Sequence, residues 1–206
     1  RTAAVSAVAT DLLARKGAEV LAILGAGQQA RRHLQAISMV RPIREVRVWD
    51  IDLAAAARYA AEMQQCYGIP VRDCSANVHS AVKGSDIICT VTAAKQPVLF
   101  GADVAPGTHI NAVGACAAAD RELDTALVQK ARLFCDSVQS AKAEAGDYLI
   151  PLQQGAIAPG NLLGELGAVL SGTLAGRVAD NDITIFEALG LAVEDLAAAN
   201  AVAQRA

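Results

Sequence analysis

Aromatic residues are scarce in this chain: one Trp, three Tyr and three Phe, 3% of 206 residues. So few rings leave no platform on which nucleic-acid bases stack. A formal net charge of -3, with both signs scattered, leaves no basic footprint for a phosphate backbone. Long apolar runs are also missing; none approaches the roughly 20 residues that span a bilayer, and no signal-peptide pattern is visible. Neither nucleic acid nor membrane is therefore an expected partner. The five cysteines, Cys66, Cys74, Cys89, Cys116 and Cys135, are odd in number and form no C-x-x-C pair. That pattern argues against a disulfide framework and for a reducing, cytoplasmic setting. His33, His79 and His109 stand apart without ligand spacing, so no metal is expected.

What the chain does have is apolar bulk without rings: 53% hydrophobic residues, alanine prominent among them. This suits helices packed closely on a sheet, in a chain long enough to bury a core. The most informative stretch is Leu21-Ala22-Ile23-Leu24-Gly25-Ala26-Gly27-Gln28-Gln29-Ala30. An apolar run meets a glycine turn and passes at once into a helix-prone segment. That order builds a dinucleotide site, because the free N–H groups at the helix start face a pyrophosphate. In the spacing G-x-G-x-x-A, Gly25 makes the turn, Gly27 lets backbone approach phosphate, and Ala30 keeps helix and strand close. Gln28 and Gln29, at the helix start, are further candidate cofactor contacts. Glu45-Val46-Arg47-Val48-Trp49-Asp50 then reads as a strand ending in an acid, about twenty residues beyond Ala30. A carboxylate there accepts hydrogen bonds from the adenosine ribose and repels the extra phosphate of NADP, so NAD is the expected cofactor. The other role open to Asp50 is capping the helix that begins near Leu53, which Asp52 fills equally well.

Elsewhere the periodicity predicts helices over residues 1–16, 30–37, 53–66, 77–83 and 122–131, and strands over 71–74, 87–92, 109–113 and 132–136. The tail reads as a helix over 143–155 interrupted at Pro151, a short amphipathic helix over 164–171 and a strand over 183–186. A long helix over 191–206 follows, carrying Glu194 and Asp195 as solvated residues. Alternating strands and helices indicate an α/β fold with a doubly wound, mostly parallel sheet (a Rossmann fold) and helices on both faces, one domain over 1–206. Thr90 and Thr92, ending the fourth strand, lie where such a sheet opens its cleft; a hydroxyl there contacts ribose or simply suits a strand.

Several segments together resemble the ornithine cyclodeaminase/μ-crystallin family, in family order and across essentially the whole chain. They are Arg1-Thr2-Ala3-Ala4, the Gly25–Ala30 turn, Val113-Gly114, Arg121-Glu122-Leu123-Asp124 and Ala143-Glu144-Ala145-Gly146-Asp147. Gly164-Glu165-Leu166 and the run from Thr184 to Ala192 complete the set. The resemblance implies an NAD(P)-dependent enzyme acting at the C–N bond of a small α-amino or imino acid. It also implies a homodimer whose second domain supplies dimer contacts and much of the substrate pocket. Nothing here corresponds to that N-terminal substrate and dimerisation domain, so the chain is expected to be the cofactor half of a larger enzyme. By the same resemblance Arg1 contacts the substrate carboxylate, Thr2 lies near the nicotinamide or phosphates, and Val113 and Gly114 pass beneath the nicotinamide. Asp147 and Glu165 are expected in structural roles, orienting a loop or capping a helix.

Cyclodeaminases of the family carry an acid–base aspartate two residues after the Val-Gly pair, and that place is taken here by Cys116. A thiol is a poor substitute for a carboxylate base. Cys116 is a candidate catalytic group, with a small pocket-wall residue as the better reading. Ala188 also replaces the serine of the family's T-x-F-x-S pattern. The departure leans the expectation towards a ketimine reductase or amino-acid dehydrogenase. An ornithine cyclodeaminase forming proline and ammonia with catalytic NAD is the alternative, and a dinucleotide-binding protein without catalysis is a third reading.

Overall fold

A computed structural model describes residues 1–204. Its helices are α1 (Thr2–Leu13), α2 (Gln28–Ile37), α3 (Leu53–Tyr67), α4 (Val78–Val82), α5 (Thr125–Lys130), α6 (Val138–Glu144), α7 (Gly146–Gln153), α8 (Leu166–Leu170) and α9 (Ala192–Ala203). Its strands are β1 (Val20–Leu24), β2 (Glu45–Trp49), β3 (Val71–Asp73), β4 (Ile87–Thr90), β5 (His109–Ala112), β6 (Arg132–Cys135), β7 (Leu162–Glu165) and β8 (Thr184–Glu187). All eight pair in parallel, in the order β3-β2-β1-β4-β5-β8-β6-β7. This is the expected doubly wound sheet. No helix among the described residues is long and apolar enough to cross a membrane.

Parallel strands joined by helical crossovers are covered on both faces, so they read as near-continuous apolar runs, and alternate side chains feed two separate layers. Leu21, Ile23, Val46, Val48, Ile87 and Cys89 pack against α2 and α3 through Ala30, Leu34, Ala56 and Tyr59. Ala22, Leu24, Ile88, Ile110, Leu133 and Ile185 pack on the opposite face against Val82, Leu127, Ala141 and Tyr148. Phe134 and Phe186 seat α1 and α8 through Leu13 and Leu166. Two of the histidines belong to this interior. His33 Nε2 lies 3.0 Å from Ser6 Oγ, and His109 Nδ1 lies 3.0 Å from Thr184 Oγ1, with burial pushing His109 down to about 3 and keeping it neutral.

The tail differs most from expectation. Leu162–Glu165 forms a strand at the sheet edge, and the helix expected over 164–171 begins only at Leu166. Four residues with one buried side chain at the first position carry too little alternation to announce a strand. Ser137 starts an unforeseen helix by accepting Ser140 N–H, and the chain breaks at Ala145. Pro151 lies inside α7 rather than ending it. The helix expected over 122–131 begins at Thr125, because Asp124 caps it by accepting from Leu127 N. The expected helix over 191–206 is described as Ala192–Ala203; its last two residues lie outside the described part of the chain.

Candidate functional site

β1 carries the chain through α2 to β2 on one side, whereas β4 and β5 lie on the other, so the strand order reverses between β1 and β4. In a doubly wound sheet the crevice outside the carboxyl ends of the strands at that reversal is where ligands bind. A cleft of about 480 Å³ opens there, lined by Gly25, Gly27, Trp49, Asp50, Val91, Thr92, Ala94 and Val98, among others. Gly25 has φ +104°, and a Cβ on it would stand 2.8 Å from the Val91 carbonyl oxygen, so only glycine makes this turn. Gly27, the residue before α2, has open space where a Cβ would be. No side chain caps α2, leaving the N–H groups of its first turn unclaimed by a cap. Ala30 is fully buried between helix and strand.

The two aspartates after β2 divide the roles left open in the sequence. Asp52 Oδ1 caps α3, accepting from Ala54 N and Ala55 N at 3.0 Å. Asp50 does not cap it. Its Oδ2 accepts from Ala26 N at 2.6 Å, which fixes the carboxylate against the glycine turn, in the wall of the cleft. Thr92 lines the same cleft, whereas Thr90 is fully buried and is not among the residues lining it. Val113 is buried, and Gly114 follows it at the end of β5. A Cβ on Gly114 would stand 2.2 Å from the Thr92 carbonyl oxygen and 2.5 Å from Glu122 Oε1. The ends of β4 and β5 therefore touch there.

The remaining candidates fall outside that cleft. Arg1, Thr2 and Gln29 share a second groove that runs from the start of α1 along α2 through Arg32 and Gln35 to Met39. Gln28 faces a third, beside Arg31 and Glu62. Arg1 pairs with Glu194 at 3.6 Å and with Asp195, so the two acids expected to be merely solvated hold its guanidinium. Cys116 is exposed in the loop after β5, its thiol donating to the Val113 carbonyl at 3.4 Å. Burial of the sulfur and the surrounding acids, Glu187, Glu122, Glu144 and Asp136, push the thiol up. That opposes a thiolate nucleophile at neutral pH. Asp147 and Glu165 are structural in their contacts: Asp147 Oδ1 accepts from Glu122 N and Leu123 N, and Glu165 accepts from Val138 N at the start of α6.

The main feature absent from the sequence reading is a group of buried acids beneath the carboxyl edge. Asp136 accepts from Ser137 N, Leu189 N and Gly190 N. Glu187 is buried with Oε2 unpartnered, and burial next to Asp147 and Glu122 raises its carboxyl well above the usual range. Glu122 is fully buried, and its side chain accepts from Thr92 N, Thr92 Oγ1 and Gly114 N. Those partners lie 30 and 8 residues away, so no local spacing marks the contact.

Residues 1–206 match the ornithine cyclodeaminase/mu-crystallin family. The chain belongs to that family. It is 45% identical over 202 residues to ketimine reductase mu-crystallin of Mus musculus, covering 98% of this chain and 60% of that protein. Among solved structures it resembles Thermococcus litoralis Δ1-pyrroline-2-carboxylate reductase in complex with NADH and L-proline, with TM-score 0.94 and 39% identity over 97% of this chain and 61% of that one. It also resembles an archaeal alanine dehydrogenase dimer with bound NAD, with TM-score 0.92 and 32% identity over 100% of this chain and 64% of that one. The chain thus spans about 60% of the length of the mouse relative. The family match covers the motifs that carried the resemblance, and the neighbours share the doubly wound sheet.

Proposed function

We propose that this chain is the NAD-binding part of a family enzyme that transfers hydride at the Cα–N bond of a small α-amino or imino acid, as a ketimine reductase or amino-acid dehydrogenase. The observation that carries the reading is the cleft itself: a glycine turn that no side chain fits, an uncapped helix start, and Asp50 fixed in the wall. These residues suit a dinucleotide. The first-turn N–H groups of α2 face a pyrophosphate, Asp50 accepts from the adenosine ribose hydroxyls, and the same charge disfavours a ribose phosphate. Bound NAD(H) supplies the hydride. The protein's part is to fix the ring's exposed face, with Gly114 leaving room beneath it, and to keep water from the imine. Arg1 offers a planar fork to the substrate carboxylate, which then replaces Glu194 and Asp195 on the guanidinium.

Cys116 favours reduction over ornithine cyclisation. Hydride addition to an imine that already carries positive character needs fewer acid–base groups than expelling ammonia, and a thiol held protonated is no water-activating base. The mouse relative is a ketimine reductase and the Thermococcus relative a pyrroline-2-carboxylate reductase, which supports the same choice. A homodimer formed through a domain outside this chain completes the proposal, as does a reducing, cytoplasmic setting, in keeping with five free cysteines. The test uses the full-length gene product that contains this chain. Loss of NADH absorbance on adding a cyclic imino acid, with no ammonia from ornithine and NAD, is the expected result. Ammonia and proline released without net NADH would overturn it in favour of the cyclodeaminase.

A further inference from the structure

Thr92 and Gly114 each lie two residues beyond the ends of neighbouring strands β4 and β5, past the backbone bond from Val113 N to the Thr90 carbonyl that extends their ladder. One side chain joins them there. Glu122 Oε1 accepts from Thr92 N at 2.7 Å and from Thr92 Oγ1 at 2.6 Å, while Oε2 accepts from Gly114 N at 2.7 Å. The same residue's backbone carbonyl accepts from Val98 N and Leu99 N, and its N–H donates to Asp147. The Thr92 hydroxyl in turn accepts from Ala94 N at 3.0 Å. Thr92, Ala94 and Val98 all line the cleft, so Glu122 joins that wall to the end of β5.

We propose that Glu122 is a positioning residue for the nicotinamide half of the cofactor, its carboxylate clamping Thr92 of one strand end to Gly114 of the next. The inference rests on the dinucleotide reading of the same cleft. In a doubly wound sheet the dinucleotide lies across the reversal point, so with Asp50 and the glycine turn taking the adenosine and pyrophosphate over β1 and β2, the other half extends over β4 and β5. Three donors converge on two oxygens, which is the arrangement an ionised carboxylate satisfies and a neutral amide cannot. In Glu122→Gln one edge of the side chain presents N–H to an N–H. Either Thr92 or Gly114 is then released, and the floor under the ring loses its register. Burial raises the Glu122 carboxyl on balance, and the hydrogen bonds from Thr92, Thr90 and Gly114 oppose that rise.

The test separates the two halves of the cofactor. Trp49 is the single tryptophan and lines the cleft, so its emission reports binding of NADH, and displacement of NADH reports binding of ADP-ribose, which lacks the nicotinamide. In E122Q the Kd for NADH is expected to rise at least tenfold while that for ADP-ribose rises no more than threefold. E122D keeps the charge but shortens the reach, and is expected to show the same split less strongly; it carries the test if E122Q does not fold. Equal weakening of both ligands, or of neither, overturns the positioning role and leaves Glu122 a purely structural acid. If the unaltered protein binds neither ligand, the dinucleotide reading falls and this inference with it.

Discussion

Asp147 shows how much a single buried carboxyl decides. Its Oδ1 accepts two backbone N–H bonds, from Glu122 at 3.0 Å and Leu123 at 2.7 Å, while Oδ2 is buried without a partner. Burial pushes the group up from 3.8 to about 7, with the Glu122 charge adding to the rise and the two N–H donors and Arg121 opposing it. A carboxyl raised on folding binds its proton more tightly in the folded state. Its contribution to stability is therefore complete below the ordinary value and is lost as pH rises through about 7. Glu187, which faces Asp147, is raised too and bends the curve the same way. Asp147→Asn retains the accepting oxygen and puts a donor where the proton was. Thermal melts between about pH 5 and pH 8 should show the unaltered protein losing Tm with rising pH and D147N losing markedly less. A parallel decline in both would place the pH dependence elsewhere. None of this was visible in the sequence beyond the expectation that Asp147 is structural, because desolvation depends on neighbours brought from other elements.

At the scale of elements, the strand–turn–helix unit from β1 to α2 and the acid after β2 were legible because their pattern is local: apolar strand, glycine turn, helical spacing. The pair Asp50 and Asp52 was not resolved by pattern, since both residues suit a cap. In the structure Asp52 alone accepts from the first N–H groups of α3, and Asp50 turns to the glycine loop. Asp52→Ala should cost about 1 kcal/mol of stability, as loss of an N-cap does, with no change in the ratio of NAD to NADP affinity. Asp50→Ala should weaken NAD and bring that ratio towards unity, and it also takes the acceptor from Ala26 N. Melts and Trp49 titrations on the two variants check both halves, and a selectivity change in D52A instead would reassign the acids. Elements that went unforeseen share a physical reason. β7 is an edge strand of four residues and α6 a helix of seven, each too short for its own period to register and each held by tertiary contacts.

Across the whole molecule the two edges of the sheet do different work. The carboxyl edge holds the cleft, the glycine turn and the buried acids; the amino edge holds Arg177. Its guanidinium donates to the carbonyls of Leu13 at 2.7 Å and Gly107 at 3.2 Å and to Thr184 Oγ1 at 3.2 Å, joining α1, the approach to β5 and the start of β8. Arg177→Ala leaves several of these acceptors unpaired and should cost about 1.5–3 kcal/mol, the range for bonds to a charged group. The variant should melt earlier while its NADH Kd stays unchanged; a large loss of affinity would show that the edges are coupled. The sequence by itself determined the parallel α/β class, the glycine turn between β1 and α2 and the family, because periodicity, glycine spacing and ordered motifs are carried by neighbours along the chain. Only the tertiary structure decided that β8 inserts between β5 and β6, that Arg1 meets Glu194, and that Glu122 joins Thr92 to Gly114. Those contacts link residues far apart in the chain, and their energies exist only once folding has excluded water and set the groups side by side.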